Sequence, residues 1–231
     1  MARSLRLTLV ALLAVPSLAV AQVSLGLRAG YTFPAGDAYE QTGLGTFKQS
    51  DLVKSVIPLQ LDASWRFNKS LSAGLYFAYG FGQAGTKLSD MCSTPGASCD
   101  SPTTMHYGAQ VAYTLDSAGA AAPWFGLGVG MQSASFKVKG FMYGAIPGTP
   151  PIPLTADLDG TLRGWEGRVE GGADFRVSPS FLVGPLLTIG FGQYRVQDIT
   201  LSGQGTVAGG GVDSPKMHEL FTLGVRGRFD L

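Results

Sequence analysis

The chain has 231 residues, which suits a single domain. It carries a formal net charge of +1, only 14% charged residues, 10% aromatic residues and 33 glycines. The near-neutral charge excludes a broad basic surface for nucleic acid, and the aromatic content with low net charge excludes simple disorder. These exclusions leave proteins that fold despite many glycines and few charges. Membrane β-proteins are one class of this kind.

Residues 1–21 have the pattern of a secretory signal peptide. Arg3 and Arg6 supply the basic start, the segment 7–15 is apolar, and Ala19-Val20-Ala21 offers small residues for cleavage. A transmembrane anchor is the alternative, but the apolar run falls well short of the ~20 residues needed to span a bilayer. Removal of this segment changes the net charge from +1 to −1.

Residues 22–231 are predicted to form one domain, in which hydrophobic and polar residues alternate with a period of two. In the first alternating run, Leu25 and Leu27 take one face while Gly26 and Arg28 take the other. Eight such runs follow one another, namely Val23–Phe33, Val56–Phe67, Leu71–Gly82, Thr104–Leu115, Trp124–Gln132, Gly164–Val177, Phe181–Gln193 and Met217–Leu231.

The connections between these runs alternate in length. Three are short, at 68–70, 116–123 and 178–180, and four are long, at 34–55, 83–103, 133–163 and 194–216. Short turns on one side and long loops on the other are typical of outer-membrane barrels, with both chain ends on the short-turn, periplasmic side.

A soluble β-sandwich would also alternate, but three features favour a barrel in lipid. The apolar faces are long enough for a tilted strand to cross a bilayer. Aromatic residues such as Tyr31, Phe33, Trp65 and Phe67 gather at the strand ends, as in interfacial girdles, and the other face holds glycine and charge. Since unpaired backbone groups are costly in lipid, the sheet must close. The prediction is an all-β fold, an eight-stranded antiparallel up-and-down transmembrane β-barrel.

The last alternating strand carries a further signature, with apolar residues at every second position but one: Phe221, Leu223, Val225, Phe229 and Leu231. With the strand count and the loop asymmetry, it resembles the small eight-stranded outer-membrane β-barrel proteins of Gram-negative bacteria, of the OmpA-barrel, OmpX and OmpW kind. The resemblance covers essentially all of residues 22–231. It implies a place in the cell outer membrane and recognition of the final strand by the barrel-assembly machinery.

The inward face of the predicted barrel carries six arginines and five carboxylates. An unpaired buried ion costs several kcal/mol, so we expect these charges to pair, with Arg226, Arg28 and Asp62 on neighbouring strands. A structural plug is the favoured interpretation, and a narrow pore lined by the charges is the alternative. The predicted network comprises Arg28, Asp62, Arg66, Glu166, Arg168, Glu170, Asp174, Arg176, Arg226, Arg228 and Asp230.

Cys92 and Cys99 are the only cysteines, and an even count in an exported protein predicts one disulfide. A metal-binding pair is the alternative, but the nearest histidine is His106 and no further cysteine exists.

Pro58 and Pro185 interrupt two predicted strands. Each marks either a bulge or strand end, or a kink that opens the wall sideways to apolar ligands.

The function predicted from these patterns is a structural or surface-interaction role without catalysis. The expected partners are outer-membrane lipid, the barrel-assembly machinery and a ligand held by the surface loops; neither nucleic acid nor a cofactor is expected, and the barrel is predicted to be a monomer. The alternatives are a narrow channel for small or hydrophobic solutes and, less favoured, a lipid-modifying enzyme using His106 or His218.

Overall fold

The computed structural model describes residues 22–41, 45–93, 95–115, 120–143, 154–202 and 205–231. Within these ranges neither helix has the length and apolar character needed to cross a membrane. The elements are β1 Gln22–Gln41, β2 Gly45–Lys48, α1 Gln49–Leu52, β3 Val53–Arg66, β4 Leu71–Ala84, α2 Thr86–Cys92, β5 Ser98–Thr114, β6 Ala121–Tyr143, β7 Leu154–Arg176, β8 Phe181–Leu201, β9 Gly205–Gly211, β10 Ser214–Pro215 and β11 His218–Asp230.

Eight long strands close into a ring. β3 to β8 pair in chain order, β8 pairs with β11, and β1 joins the two ends. On β1, Leu25 lies opposite Phe229 of β11 and opposite Ala63 of β3. Every pairing is antiparallel, so the predicted eight-stranded up-and-down barrel is confirmed. The short strands β2, β9 and β10 lie outside the ring and pair with β1 or β8.

The outer wall of the barrel is an apolar belt. Leu27 on β1 is 58% exposed and Val129 on β6 is 64% exposed, whereas Arg28, which follows Leu27 and points to the other face, is only 6% exposed. Soluble monomers rarely show a continuous apolar surface of this extent. Aromatic residues such as Phe33 and Phe67 mark opposite ends of the belt. The inverted pattern, apolar outside and polar inside, fits a hydrocarbon surrounding.

At the long-loop end the strands are longer than the alternation predicts. β6 and β7 continue to the Tyr143–Leu154 pair, and β8 continues to Leu201. The prediction of long loops is therefore wrong over much of their length, since strands and helices occupy parts of 34–55, 83–103, 133–163 and 194–216. These extensions project beyond the apolar belt. There the backbone ladder continues but the alternation changes phase: Val138 and Leu162 are buried on the inner side while Lys137 and Arg163 are exposed on the outer side, so the apolar-outside pattern of the belt ends.

Both prolines lie in continuous strands and mark neither a bulge nor a strand end. Between β1 and β3 the same register holds on both sides of Pro58, but the ladder lacks the pairs of Gly30 and Tyr31. The β7–β8 ladder likewise lacks the pairs of Ala173 and Asp174, which lie beside Pro185. Because proline has no N–H, each site loses a ladder donor.

A cap formed by the end of β1, β2 and α1 covers the long-loop end of the lumen. Tyr39, Leu52, Val53 and Tyr194 belong to its buried apolar cluster, against which Phe47 packs. The rings of Tyr39 and Phe47 stack with their centroids 5.0 Å apart. Burial raises the pKa of the Tyr39 hydroxyl to about 12.

Helix α2 fastens this cap from the side. Lys87 reaches Asp51 of α1 at 3.3 Å and lies 4.0 Å from the centre of the Phe47 ring. Burial acts to raise the pKa of Asp51, but hydrogen bonds from the Lys48 N–H and the Thr86 hydroxyl, with the charge of Lys87, hold it below its usual value. The predicted disulfide is present, and it joins the end of α2 to β5.

Glycines allow side chains and neighbouring backbones to enter the narrow lumen. The hydroxyl of Tyr76 lies over Gly130, where an added Cβ would overlap it. At Gly184 of β8 the carbonyl oxygen of Ala173 occupies the place of a Cβ, whereas at Gly171 of β7 the nearest heavy atom would be 3.6 Å away. The two glycines therefore differ in how much space a methyl group would find.

We expect Gly184→Ala to lower the free energy of unfolding by about 1–3 kcal/mol, because the methyl group collides with backbone. Gly171→Ala is the matched control and should leave it unchanged or raise it by up to about 1 kcal/mol, since alanine suits a strand better than glycine. Urea titration of the refolded barrel in lipid vesicles measures both. Equal effects of the two substitutions would contradict the close backbone approach at Gly184.

Candidate functional site

The barrel lumen brings together side chains from all around the ring. Of the eleven charges predicted to form a network, nine are buried, Arg66 is partly buried and Arg176 is exposed. They reach the lumen because they occupy the inward positions of the alternating strands. The contacts form a central layer, a layer toward the short turns and a pair toward the cap.

Arg28 is the centre of the first layer. Its guanidinium donates to Asp62 of β3, to Glu170 of β7 at 2.7 Å and to Gln110 of β5 at 3.2 Å. A single side chain on β1 thereby contacts three other strands, two of which lie across the lumen. Both ion pairs are buried, with side-chain exposure of 7% or less.

Arg168 completes this layer from the opposite wall. It forms an ion pair with Glu170 at 2.8 Å and donates to Gln60 at 3.0 Å and to Gln110 at 2.8 Å. Its guanidinium also lies 3.3 Å from the centre of the Tyr76 ring, a cation–π contact. Two arginines and two carboxylates are thus joined through shared glutamines into one bonded layer across the barrel.

A second layer lies toward the short turns. Arg228 contacts Asp174 at 2.9 Å and Asp230 at 3.1 Å, and Arg226 approaches Asp174 at 3.7 Å. Arg66 reaches Asp230 at 3.2 Å. Arg226 and Arg28 both lie over the ring of Trp124, at 4.2 and 5.6 Å from its centre, so this buried indole separates the two layers.

Glu166 takes partners other than arginine. His106 Nδ1 lies 2.7 Å from one of its oxygens, and the Tyr76 hydroxyl donates to the other at 2.7 Å. His218 is buried nearby, hydrogen-bonded to Gln132 and stacked on Tyr194. The side chains of both histidines contact groups inside the barrel. Over the described ranges, no group of three His, Cys, Asp or Glu side chains is arranged to hold a metal ion.

Arg176 lies apart from these layers. Its guanidinium is at the exposed short-turn rim of the barrel and donates to the backbone carbonyl of Pro179 at 2.8 Å. Arg176 is the last residue of β7, so its long side chain extends past the strand end into the mouth of the barrel. The six inward arginines of the sequence therefore divide into five with a carboxylate partner and one without a described one.

Uncharged side chains outside the predicted set of charges complete the network. Gln60 donates to Asp62 at 2.7 Å, and Gln110 accepts from Arg28 and Arg168. Both glutamines occupy inward positions of alternating strands, so the same pattern could have found them. Trp124 has the inward parity of Gly126 and Gly128, but a large apolar side chain departs from the polar character of that face, so the alternation alone gives no reason to include it in the network.

Two cavities flank the network. A cavity of about 80 Å³ lies between the central layer and the cap, and its wall includes Val56, Pro58 and Leu186. A larger one of about 350 Å³ opens at the short-turn end beside Arg66 and Arg176. The bonded layers thus lie between a small space under the cap and a wide basin at the other end.

The C-terminal strand β11 closes the ring between β1 and β8. Its four alternating apolar residues and Leu231, which follows it, are all exposed on the outer wall: Phe221, Leu223, Val225, Phe229 and Leu231. They therefore form part of the apolar belt of the finished barrel.

Removing one carboxylate from the central layer should be costly. We expect Glu170→Gln to lower the free energy of unfolding by about 3 kcal/mol, because Arg28 and Arg168 stay buried without their shared counter-charge. Asp159→Asn removes an exposed partner of Lys137 and should change it by less than about 1 kcal/mol. Urea titration of both variants in vesicles tests this, and a Glu170→Gln effect no larger than the control would show that the layer is not electrostatically coupled.

The fold has counterparts among solved structures. Neisserial surface protein A aligns with a TM-score of 0.52 at 13% identity, covering 90% of this chain and 97% of that one. The outer membrane protein AlkL aligns with a TM-score of 0.51 at 13% identity, covering 91% of this chain and 90% of that one. A major outer membrane protein from Thermus thermophilus aligns with a TM-score of 0.58 at 13% identity, covering 91% of this chain and 100% of that one.

No family model matches the sequence, and no curated protein matches it. At 13% identity the likeness to the solved structures concerns the fold and not the activity. The closed antiparallel ring, the apolar outer belt and this likeness agree with one another. The chain has the fold of the small eight-stranded outer-membrane β-barrel proteins.

Proposed function

We propose that this chain is a closed barrel of the outer membrane that acts as a structural or surface-interaction protein, without conduction and without catalysis. The observation that carries the proposal is the central layer, in which Arg28 contacts β3, β5 and β7 at once. An eight-stranded barrel has an interior just wide enough for side chains to fill. The charge network acts as a plug.

The plug opposes ion flow for an electrostatic reason. An ion that entered the layer would have to displace Arg28 or Glu170 from partners at hydrogen-bond distance, in a site that exposes less than a tenth of either side chain. Breaking a buried ion pair costs several kcal/mol. The cap and its buried cluster cover the other side of the lumen, so a second barrier lies in series.

The strand extensions beyond the belt give the barrel a firm hydrophilic surface. β6, β7 and β8 continue as one antiparallel sheet, so over its described residues this surface is built on paired backbone. Cross-strand ion pairs at 3.0–3.5 Å cover it: Lys137–Asp159, Lys139–Asp100 and Arg163–Asp198. Such a surface suits contact with an extracellular ligand, because it presents charges of both signs in exposed positions.

Export and insertion into the membrane involve the two ends of the chain. The segment 1–21, proposed as a signal peptide, lies outside the described residues. We propose that the exposed apolar residues of β11 are read by the barrel-assembly machinery before the ring closes, that the belt then contacts outer-membrane lipid, and that the barrel is a monomer.

Planar-bilayer recording tests the plug directly. The refolded wild-type barrel should show no stable conductance steps. A variant that removes the central charges as a balanced set should show brief current steps that the wild type lacks, because small hydroxyl side chains leave room for water, while the cap and the second charged layer keep these steps small. That variant is Arg28→Ser, Asp62→Ser, Arg168→Ser and Glu170→Ser.

The matched control is Lys137→Ser with Asp159→Ser, which removes an ion pair outside the lumen and should stay silent. A heat-dependent shift in gel mobility shows whether each variant has folded. Stable open-channel steps from the wild-type protein would refute the plug, whether or not the fourfold variant folds.

A second candidate function, passage of small apolar solutes, is favoured by one observation at Pro58. The wall of the cavity under the cap includes the apolar side chains of Val56, Leu186 and Leu220 beside charged groups of the network, and Pro58 and Gly30 belong to the same wall. At that point the β1–β3 ladder lacks two pairs. The cavity of about 80 Å³ is roughly half the size of an engineered one that takes benzene.

Amide hydrogen exchange in lipid bilayers tests this second candidate. If the wall opens beside Pro58, the amides of Gly30 and Tyr31 should exchange at least about tenfold faster than those of Leu25 and Leu27 on the same strand. The substitution Pro58→Val restores a backbone donor and should slow the exchange. Uniform protection from Leu25 to Phe33 would show that the wall stays closed.

A further inference from the structure

We propose that the short-turn mouth of the barrel binds a small multivalent anion that carries phosphate or carboxylate groups. The site is the basin of about 350 Å³ below the second charged layer. Four of its lining residues are cationic, namely Arg66, Lys69, Arg176 and Arg228, and among the described residues that line it only Asp174 is acidic. In the proposed membrane orientation the basin opens to the periplasm.

The carboxylates near the basin are already engaged and lie beneath the cations. Asp174 is 1% exposed and is held by Arg228 and Arg226. Asp230 is also buried, and its partners are Arg66 and Arg228. Asp116 lies outside the described residues. Over the described part of the mouth, the negative charge is therefore sequestered while positive charge faces water.

Two of the four cations take no part in the network. Arg176 donates to the Pro179 carbonyl through one of its nitrogens only, and Lys69 is an exposed residue of the turn between β3 and β4. Both are carried by short turns or strand ends at the same rim. Neither cation is needed to neutralise a described carboxylate, which leaves both available to a ligand.

The chemistry of these groups selects the ligand. A guanidinium offers a planar fork of N–H donors that fits two oxygens of a carboxylate or a phosphate, and an ammonium adds a compact point charge. Arg176 and Lys69 come from different turns around one concave basin. A ligand with two or more anionic groups can engage both, whereas a monovalent anion can engage only one at a time.

The test titrates the refolded full chain in non-ionic detergent micelles with pyrophosphate and with citrate, followed by calorimetry, with acetate at equal ionic strength as a monovalent reference. We expect saturable binding of the multivalent anions, weakened by added sodium chloride because exposed charges are screened. Binding of pyrophosphate alone would assign the site to phosphates, and binding of citrate alone would assign it to carboxylates.

The variants Arg176→Gln and Lys69→Gln should each weaken binding roughly threefold, and the double variant roughly tenfold. Lys139→Gln is the matched control, an exposed lysine at the opposite end of the barrel, and it should leave binding unchanged. The proposal is overturned if neither pyrophosphate nor citrate saturates, if acetate binds equally well, or if Lys139→Gln weakens binding as much as the basin variants. None of these outcomes depends on whether the lumen conducts.

Discussion

The need to pair every backbone N–H and C=O group inside hydrocarbon governs the rest of this structure. In lipid each unpaired group costs several kcal/mol, and no edge strand can be left open. The chain meets this constraint by pairing β1 with both β11 and β3. Eight strands then enclose an interior only wide enough for side chains, and that narrowness makes the lumen charges interact.

The two faces of each strand consequently require side chains of opposite polarity. Outward positions must be apolar, so the wall exposes leucine and valine that a soluble protein would bury. Inward positions lie in a confined space, where glycine gives room for side chains such as Tyr76 and where charges need partners. The arginines of the central layer meet this need by each contacting several strands, so that the network also braces the ring from within.

The ends of the barrel are less constrained and differ from each other. At the long-loop end the cap buries Tyr39, Leu52 and Tyr194 in a small apolar core, and the strands continue into water as a charged sheet. At the short-turn end the chain has no comparable cover in its described part, and Arg176 and Lys69 border an open basin. Over its described residues the barrel is thus covered toward one side and open and cationic toward the other.

The sequence by itself determined the eight spanning strands and the face of each strand that is apolar, and it predicted a set of charges for the lumen. These features follow from a period of two, which is a local property of the chain. The same pattern failed beyond the belt, where the outer face meets water and the inner face buries apolar residues such as Val138 and Leu162, so that the phase of the alternation reverses. It also could not tell that Arg176 stays at the rim. Only the tertiary structure decided which charges pair: Arg28 and Glu170 are 142 positions apart in the chain, and they meet because closure of the ring sets their strands on facing walls.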